Sequence, residues 1–358
     1  MATAYAAGMI AGRPHLHGLT WLRAAAALLV LAYHVELTLA LPKYLAHPVL
    51  PAFRWGQAGV QIFFVLSGFV ILYAHHHEPQ RDAAAIRGFA VKRFRTIYPP
   101  LWIVLAIVVA LTLAIAGLRH WTAIDVVAAF LVIPFPRDLL LSVEWTLRHE
   151  VFFYLLFAGF LWNRRIGGTI LLLWGGASLI AAATMPLAWP FDFVLNANHI
   201  LFLFGMAVAR LHLNGVAHGR RSAIVVAILL FLWLFARDPG PVAQIRVFET
   251  LAFGTAAALL IHGLCAPPRW NRRMPWVEAC GAASYSLYLI HYPLVSLLSR
   301  LAVAVDRLYP VPALVYFVGM VVICQIAAIL FHRWLTVPAM AAAGRLTDRV
   351  YVPASATR

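Results

Sequence analysis

Apolar segments long enough to cross a lipid bilayer recur from one end of the chain to the other. Ten such segments can be drawn, at 20–41, 57–73, 96–117, 145–162, 167–187, 197–211, 222–237, 246–264, 281–299 and 311–334. Charged residues make up only 11% of the chain, against about 25% in a typical soluble domain. Because such a chain cannot cover a water-facing surface, the pattern predicts an all-α, polytopic membrane protein with about ten transmembrane helices.

A shorter apolar piece, 123–135, lies between the third and fourth segments. At about 1.5 Å per residue it falls short of the roughly 30 Å hydrocarbon core, which predicts a re-entrant or interfacial segment. With no internal repeat and no second domain visible, residues 1–358 are expected to form a single membrane domain. A short N-terminal segment, 1–19, without the features of a cleaved signal peptide, and a tail from about residue 335 would flank the helices. The three cysteines indicate neither a disulfide framework nor a metal site.

The basic residues are distributed unevenly between the loops of the predicted helices. With the N-terminus inside, 18 of the 28 Lys and Arg residues fall in the inner segments and 8 in the outer ones. By the positive-inside rule, this bias predicts that both termini lie in the cytoplasm. The same distribution attributes the net charge of +15 to membrane topology and contact with membrane lipid, and it argues against a nucleic-acid partner.

Three ionisable side chains lie within the first apolar segment: Arg23, His34 and Glu36. Such residues are costly in lipid unless they face the protein interior, which makes them candidates for function. At about 100° per residue, the separation of eleven positions between Arg23 and His34 corresponds to about three turns plus 20°. Both therefore lie on one helix face, about 16 Å apart. In this topology Arg23 is expected near the cytoplasmic entrance and His34 past the middle of the membrane.

The fourth and ninth apolar segments carry further polar residues. Glu150 has Tyr154 one turn away on the same helix face. A buried carboxylate needs a partner from another helix. The alternative to a functional role is that Glu150 only stabilises the contact between two helices. Trp145 suits an interfacial position, and Tyr288 and His291 precede a proline that can bend their helix. With Tyr154, these three are candidates for a channel or an acceptor site, while a structural role of His291 is equally open.

A basic cluster of Lys92, Arg93 and Arg95 precedes the third segment, and small residues around Ser67 interrupt the otherwise bulky second one. Basic residues at the inner surface often signal only topology or contact with anionic lipid. They also suit the phosphates of a nucleotide, which guanidinium groups clasp. Small residues allow helices to approach closely, or the backbone to bend around a ligand. The adjacent histidines 75–77 point in different directions and predict no metal site.

Five motifs follow one another along the chain: an arginine with a histidine eleven positions later, FFVLSGF, KRFRTIYP, EWTLRHEVFFYLLF and SYSLYLIHYPL. Together and in this order they resemble the membrane-bound acyltransferase family 3, and the resemblance covers nearly the whole chain. This family includes O-acetyltransferases of bacterial exopolysaccharides, lipopolysaccharide O-antigen and Nod factors, and some macrolide acyltransferases. The chain is similar to the stand-alone type, which lacks an additional periplasmic hydrolase-like domain.

The resemblance implies roles for individual residues. His34 matches the catalytic histidine, Arg23 its partner in the donor channel, and Glu150 the acid of the fourth helix. The residues expected to bind the donor are Arg93, Arg95, Lys92 and Ser67. That donor would be acyl-CoA, above all acetyl-CoA, as a co-substrate, and no metal is expected.

The implied function is that of an O-acyltransferase of the bacterial inner membrane. It would move an acyl group, acetyl above all, from cytoplasmic acyl-CoA to a hydroxyl of a cell-surface or lipid-linked glycan, in contact with the polysaccharide-synthesis machinery. His34 would act as a general base or carry the acyl group covalently, and Glu150 would orient His34 or hold an acceptor hydroxyl. The alternatives are a transporter or flippase for a lipid-linked sugar, an acyltransferase for a small secondary metabolite, and a structural partner of a polysaccharide synthase. The oligomeric state stays open.

Overall fold

The computed structural model describes residues 16–46, 48–115, 121–137, 139–184, 187–237, 247–265 and 274–350. In these residues the chain is helical, without a β-strand. The helices are α1 (His17–Leu39), α2 (Ala58–His75), α3 (Ala83–Ile115), α4 (Ala123–Leu131), α5 (Glu144–Trp162), α6 (Arg164–Thr184), α7 (Phe191–Val194), α8 (His199–Leu213), α9 (Arg220–Phe235), α10 (Val247–Leu264), α11 (Pro275–Ala282), α12 (Ser284–Asp306), α13 (Ala313–Phe331) and α14 (Val337–Val350). A 3₁₀ turn, Pro51–Gln57, leads into α2.

Eight helical stretches are long and apolar enough to cross a membrane. They contain α1, α2, α3, α6, α8, α10, α12 and α13. This finding confirms the predicted class, an all-α polytopic membrane protein. Two further predicted spans coincide with α5, which has polar residues in its first two turns, and with α9, which has only 16 residues. The number of ten spans therefore stays a prediction.

The segments predicted outside the main spans are also helical where the structure describes them. Helix α4, with nine residues, is about 14 Å long and too short to span a membrane. A capping box between Thr122 and Asp125 fixes its start, because each side chain accepts a hydrogen bond from the other's backbone N–H. The predicted tail forms α14, which continues α13 through a π-helical turn (His332–Thr336) and packs against α3. Most of the predicted N-terminal segment, residues 1–15, lies outside the described residues.

Glycines bring α2 into close contact with its two neighbours. A Cβ atom on Gly68 would lie 2.0 Å from a backbone carbonyl oxygen of α8, and one on Gly205 of α8 would lie 1.9 Å from a carbonyl oxygen of α2. On the other side, a Cβ on Gly59 would lie 2.3 Å from a carbonyl oxygen of α1. No side chain fits at these distances, so the small residues of the second segment allow close helix packing, as expected. This packing also fixes the position of Ser67 beside Gly68.

Candidate active site

An internal cavity of about 170 Å³ lies between α1, α2, α3, α5 and α12. Its wall combines apolar side chains with polar ones from all five helices. The predicted site residues on this wall are Arg23, Ser67, Arg93, Glu150, Tyr154 and Tyr288. The fold thus brings together six predicted residues from five different helices.

Glu150 receives two hydrogen bonds on one of its carboxylate oxygens. The Ser67 hydroxyl donates to Oε1 over 2.8 Å, and the Tyr154 hydroxyl, one turn further along α5, donates to the same atom over 2.5 Å. Within the described part of the chain, no group donates to the second oxygen, Oε2. That oxygen is therefore available to accept a hydrogen bond from a ligand in the cavity.

Two arginines share the cavity wall with this carboxylate. The Arg23 Nη2 atom donates to the Ser284 hydroxyl oxygen over 3.3 Å. The Arg93 guanidinium lies 5.7 Å from the centre of the Tyr154 ring and 5.8 Å from that of Phe89, within the range of a cation–π contact. Two guanidinium groups and one carboxylate give the wall an excess of positive charge, which favours an anionic ligand.

The other two members of the predicted basic cluster are not on the cavity wall. Arg95 instead contacts α14, where its Nη2 donates to the Asp348 carboxylate over 2.5 Å and its Nε donates to the Thr347 hydroxyl. Lys92 is half-buried on the same part of α3. The structure therefore separates Arg93 from Arg95, and donor binding by Arg95 and Lys92 stays a prediction.

His34 of α1 and His291 of α12 form a pair. The Nε2 atom of His291 lies 3.2 Å from Nδ1 of His34, and the ring centres are 4.8 Å apart. The pair lies one turn of α12 beyond Tyr288, whose ring centre is 5.8 Å from that of His291. Among the described residues, His34 has hydrogen-bonding neighbours in Val30 and His291, and not in Glu150. Orientation of His34 by Glu150, one of its two predicted roles, is therefore not what the geometry shows.

Tyr288 and Thr146 line the cavity, and the Tyr288 ring is the wall group that contacts His291 of the histidine pair. The Tyr288 hydroxyl donates to the Val143 carbonyl oxygen over 2.6 Å and lies 2.6 Å from Oγ1 of Thr146. Trp145 is not on the wall, and its ring packs edge-on against His149. An acceptor-binding role of Trp145 stays a prediction.

Several polar contacts in and around the site leave no signal in the sequence. Ser284 accepts the hydrogen bond from Arg23, and the Tyr285 hydroxyl donates to a backbone carbonyl of α3 over 2.8 Å. His149 and His199 form a second histidine pair, with 2.8 Å between their ring nitrogens. Each contact joins two different helices, whereas spacing along one helix reports only neighbours on the same face. In the part of the chain that the structure describes, no three metal-ligating side chains come together.

Ionisable side chains around an internal cavity of a multi-pass helical protein define a membrane protein with a buried polar site. Residues 16–329 match the acyltransferase family 3, described as "Acyltransferase domain", and the chain belongs to this family. The predicted resemblance is confirmed, and the protein is a membrane-bound O-acyltransferase.

A curated relative supports the same class. The "Exopolysaccharide production protein ExoZ" of Rhizobium meliloti (strain 1021) is 28% identical over 278 residues. The match covers 71% of this chain and 81% of that protein, so the similarity extends over most of both. No solved structure matches the chain.

Proposed function

We propose that the protein transfers an acetyl group from cytoplasmic acetyl-CoA to a hydroxyl of an exopolysaccharide or of its lipid-linked precursor. The family supplies the reaction class, and the name of the similar ExoZ protein supports an exopolysaccharide as the acceptor. The observation that carries the proposal is the cavity, because Arg23 and Arg93 line it and the His34–His291 pair adjoins Tyr288 of its wall. A donor with phosphates needs the cations, and an acceptor hydroxyl needs a base.

Arg93 is the residue best placed to bind the donor. It lies in the first third of α3, on the side that the positive-inside rule assigns to the cytoplasm. Guanidinium groups bind phosphate through paired hydrogen bonds. The Nε atom of Arg93 is buried and has no hydrogen-bond partner among the described residues, which leaves one donor of this guanidinium to be satisfied by a ligand. Ser67 and Arg23 line the cavity beyond it.

The proton transfer that accompanies acyl transfer is assigned to the nitrogen Nε2 of His34. This nitrogen removes the proton of the acceptor hydroxyl while the hydroxyl oxygen attacks the carbonyl carbon of the thioester. The new C–O bond forms as the C–S bond breaks, and the CoA thiolate then takes the proton from His34. The Tyr33 and Tyr292 rings, centred 4.9 and 5.5 Å from the His34 ring, pack edge-on against it.

The direct test uses protein purified in detergent, radiolabelled acetyl-CoA, and exopolysaccharide from a strain that lacks this protein. Label is expected in the polysaccharide only when both the protein and acetyl-CoA are present. The position of the new ester, found by NMR of the product, identifies the acceptor hydroxyl. Label that appears only in small metabolites would replace the proposed acceptor class. Movement of a lipid-linked sugar across liposomes without acyl transfer would favour the flippase.

Arg93→Ala is expected to raise the KM for acetyl-CoA at least fivefold, about 1 kcal/mol, with little change in kcat. The change removes a cation from the cavity wall, where the donor's phosphates are proposed to bind. Arg95→Ala is the matched comparison, because it removes the same charge two positions away from a side chain that bonds α14. We expect the smaller rise in KM for Arg95→Ala. Equal rises would assign the donor to the whole cluster, and no rise in either variant would reduce the cluster to a topology signal.

The proposed topology places both termini in the cytoplasm of a bacterial cell, at its inner membrane. Single cysteines at Lys43 and Gln80, both exposed positions, test it in a variant without the native cysteines. A membrane-impermeant maleimide is expected to label Lys43→Cys in intact cells, and Gln80→Cys only after permeabilisation. The cysteine-free variant gives the background. The reverse pattern would mean that the protein has the opposite orientation.

A further inference from the structure

His291 is held rigidly inside the helix bundle, with 1% of its surface exposed. Its Nδ1 atom lies 2.8 Å from the Tyr288 carbonyl oxygen and 3.0 Å from that of Leu287. Carbonyl oxygens only accept hydrogen bonds, so Nδ1 carries the proton and donates. A neutral imidazole protonated at Nδ1 has its lone pair on Nε2. His291 therefore presents a hydrogen-bond acceptor to its neighbour.

The hydrogen-bond neighbours of His34 also determine which of its ring nitrogens carries the proton. Its Nδ1 atom faces two acceptors, the Val30 carbonyl oxygen at 2.9 Å and Nε2 of His291 at 3.2 Å. A proton on His34 Nδ1 can be shared between these two acceptors. The opposite arrangement would make His291 a buried cation and would point a lone pair of His34 at the Val30 carbonyl. The Nε2 atom of His34 then carries the lone pair, and no described residue forms a hydrogen bond with it.

From this geometry we propose that His291 is a positioning residue, which keeps His34 in the Nδ1–H form with the lone pair of Nε2 available to the acceptor hydroxyl. The inference rests on the proposed function, in which His34 takes the proton of that hydroxyl. When Nε2 accepts it, the His34 ring becomes a cation. Its Nδ1–H still points at His291 and Val30, and these acceptors stabilise the positive charge in apolar surroundings. A carboxylate holds the histidine of a Ser-His-Asp triad in the same way.

The two acceptors constrain the His34 ring in different ways. The Val30 carbonyl belongs to α1, like His34, and can hold the ring only relative to its own helix. His291 belongs to α12, which also contributes Tyr288 to the cavity wall. Since α1 lines the cavity through Arg23 and α12 lines it through Tyr288, the contact with His291 fixes the His34 ring against a second helix of the cavity wall.

Two substitutions of His291 separate this role from simple packing. His291→Phe keeps a planar ring of similar size and removes the acceptor, and it is expected to lower kcat five- to tenfold while the KM for acetyl-CoA changes less than twofold. His291→Gln places an amide oxygen near the position of Nε2 and is expected to regain at least a third of the wild-type kcat. Monodispersity in size-exclusion chromatography shows that both variants are folded.

Nitrogen-15 NMR of histidine-labelled protein gives a readout that does not depend on activity. The His34 signals, assigned by their loss in His34→Asn, should show a protonated Nδ1 and an unprotonated Nε2 in the wild type. In His291→Phe a population protonated at Nε2 should appear, because one of the two acceptors on Nδ1 is gone. An unchanged His34 tautomer, an unchanged kcat, or a His291→Gln variant no better than His291→Phe would overturn the inference. Failure of the proposed function looks different, since wild-type protein would then show the expected tautomer without acylating any glycan.

Discussion

Glu150→Gln is expected to lower the rate of acetyl transfer at least tenfold, about 1.4 kcal/mol in the activation barrier, in a protein that stays folded. Ser67 and Tyr154 both donate to Oε1, so the oxygen of the glutamine must remain there and its NH₂ group takes the place of Oε2. The variant thus turns an available acceptor into a donor. It also removes the negative charge that shares the cavity with Arg23 and Arg93. Initial rates of transfer by purified protein measure the effect.

Glu249→Gln is the matched control for this prediction. Glu249 is also a buried carboxylate in a membrane helix, 7% exposed, but it lies in α10 away from the cavity and has Arg237 as its neighbour at 3.8 Å. Its replacement is expected to leave the rate within twofold of the wild type. Full activity of Glu150→Gln would reduce Glu150 to a residue that ties α2 to α5. Equal losses in both variants would point to a general effect on the fold.

Two of the three charged residues on the cavity wall could be predicted from the sequence, because lipid penalises ionisable side chains. Arg23 and Glu150 lie within apolar segments, and each must face the protein interior or a polar cavity. The structure places both on one cavity wall, together with Tyr154 on the same face of α5.

The difference between Arg93 and Arg95 was not visible in the apolar pattern. The predicted third span begins at residue 96, since the residues before it are charged, whereas the structure extends α3 back to Ala83. On a helix, two residues two positions apart point about 200° from each other. Only one of these arginines can then face the cavity, and the other contacts α14. The apolar pattern does not show that α3 begins at Ala83, ahead of the charged residues.

Site residues also weaken the very signal that identifies a span. The first two turns of α5 contain Thr146, Arg148, His149 and Glu150, which lower the hydropathy of a helix that lines the polar site. The His34–His291 contact was equally hidden, because it joins positions 257 residues apart on two helices. A single sequence reports the faces of one helix and not which faces meet.

His34→Ala is expected to reduce acetyl transfer at least 100-fold while the protein remains folded. Loss of a general base typically costs about 10² to 10⁴ in rate. Among the described residues near Tyr288, no other histidine has a ring nitrogen that is without a hydrogen bond. The substitution leaves Nε2 of His291 without its neighbour, and a water molecule can fill the polar space. Turnover of purified protein is the measurement, with monodispersity in size-exclusion chromatography as the control for folding. His262→Ala, which removes a histidine of α10 bonded to the His218 carbonyl, is expected to stay within twofold of the wild type.

His34→Asn sharpens this test, because it removes the base and keeps the contacts. The asparagine NH₂ group occupies about the position of Nδ1 and can donate to Val30 and His291, as the imidazole does, but nothing replaces Nε2. We therefore expect His34→Asn to be as inactive as His34→Ala, whereas a purely structural role of His34 predicts that the asparagine restores activity. More than a third of wild-type turnover in either folded variant would contradict the mechanism. Wild-type protein incubated with acetyl-CoA alone then decides how Nε2 acts. An acetyl group on His34, trapped with hydroxylamine as the hydroxamate, would mean covalent transfer. The proposed general-base mechanism predicts no acetyl-histidine, because His34 then receives only a proton, and that proton comes from the acceptor hydroxyl.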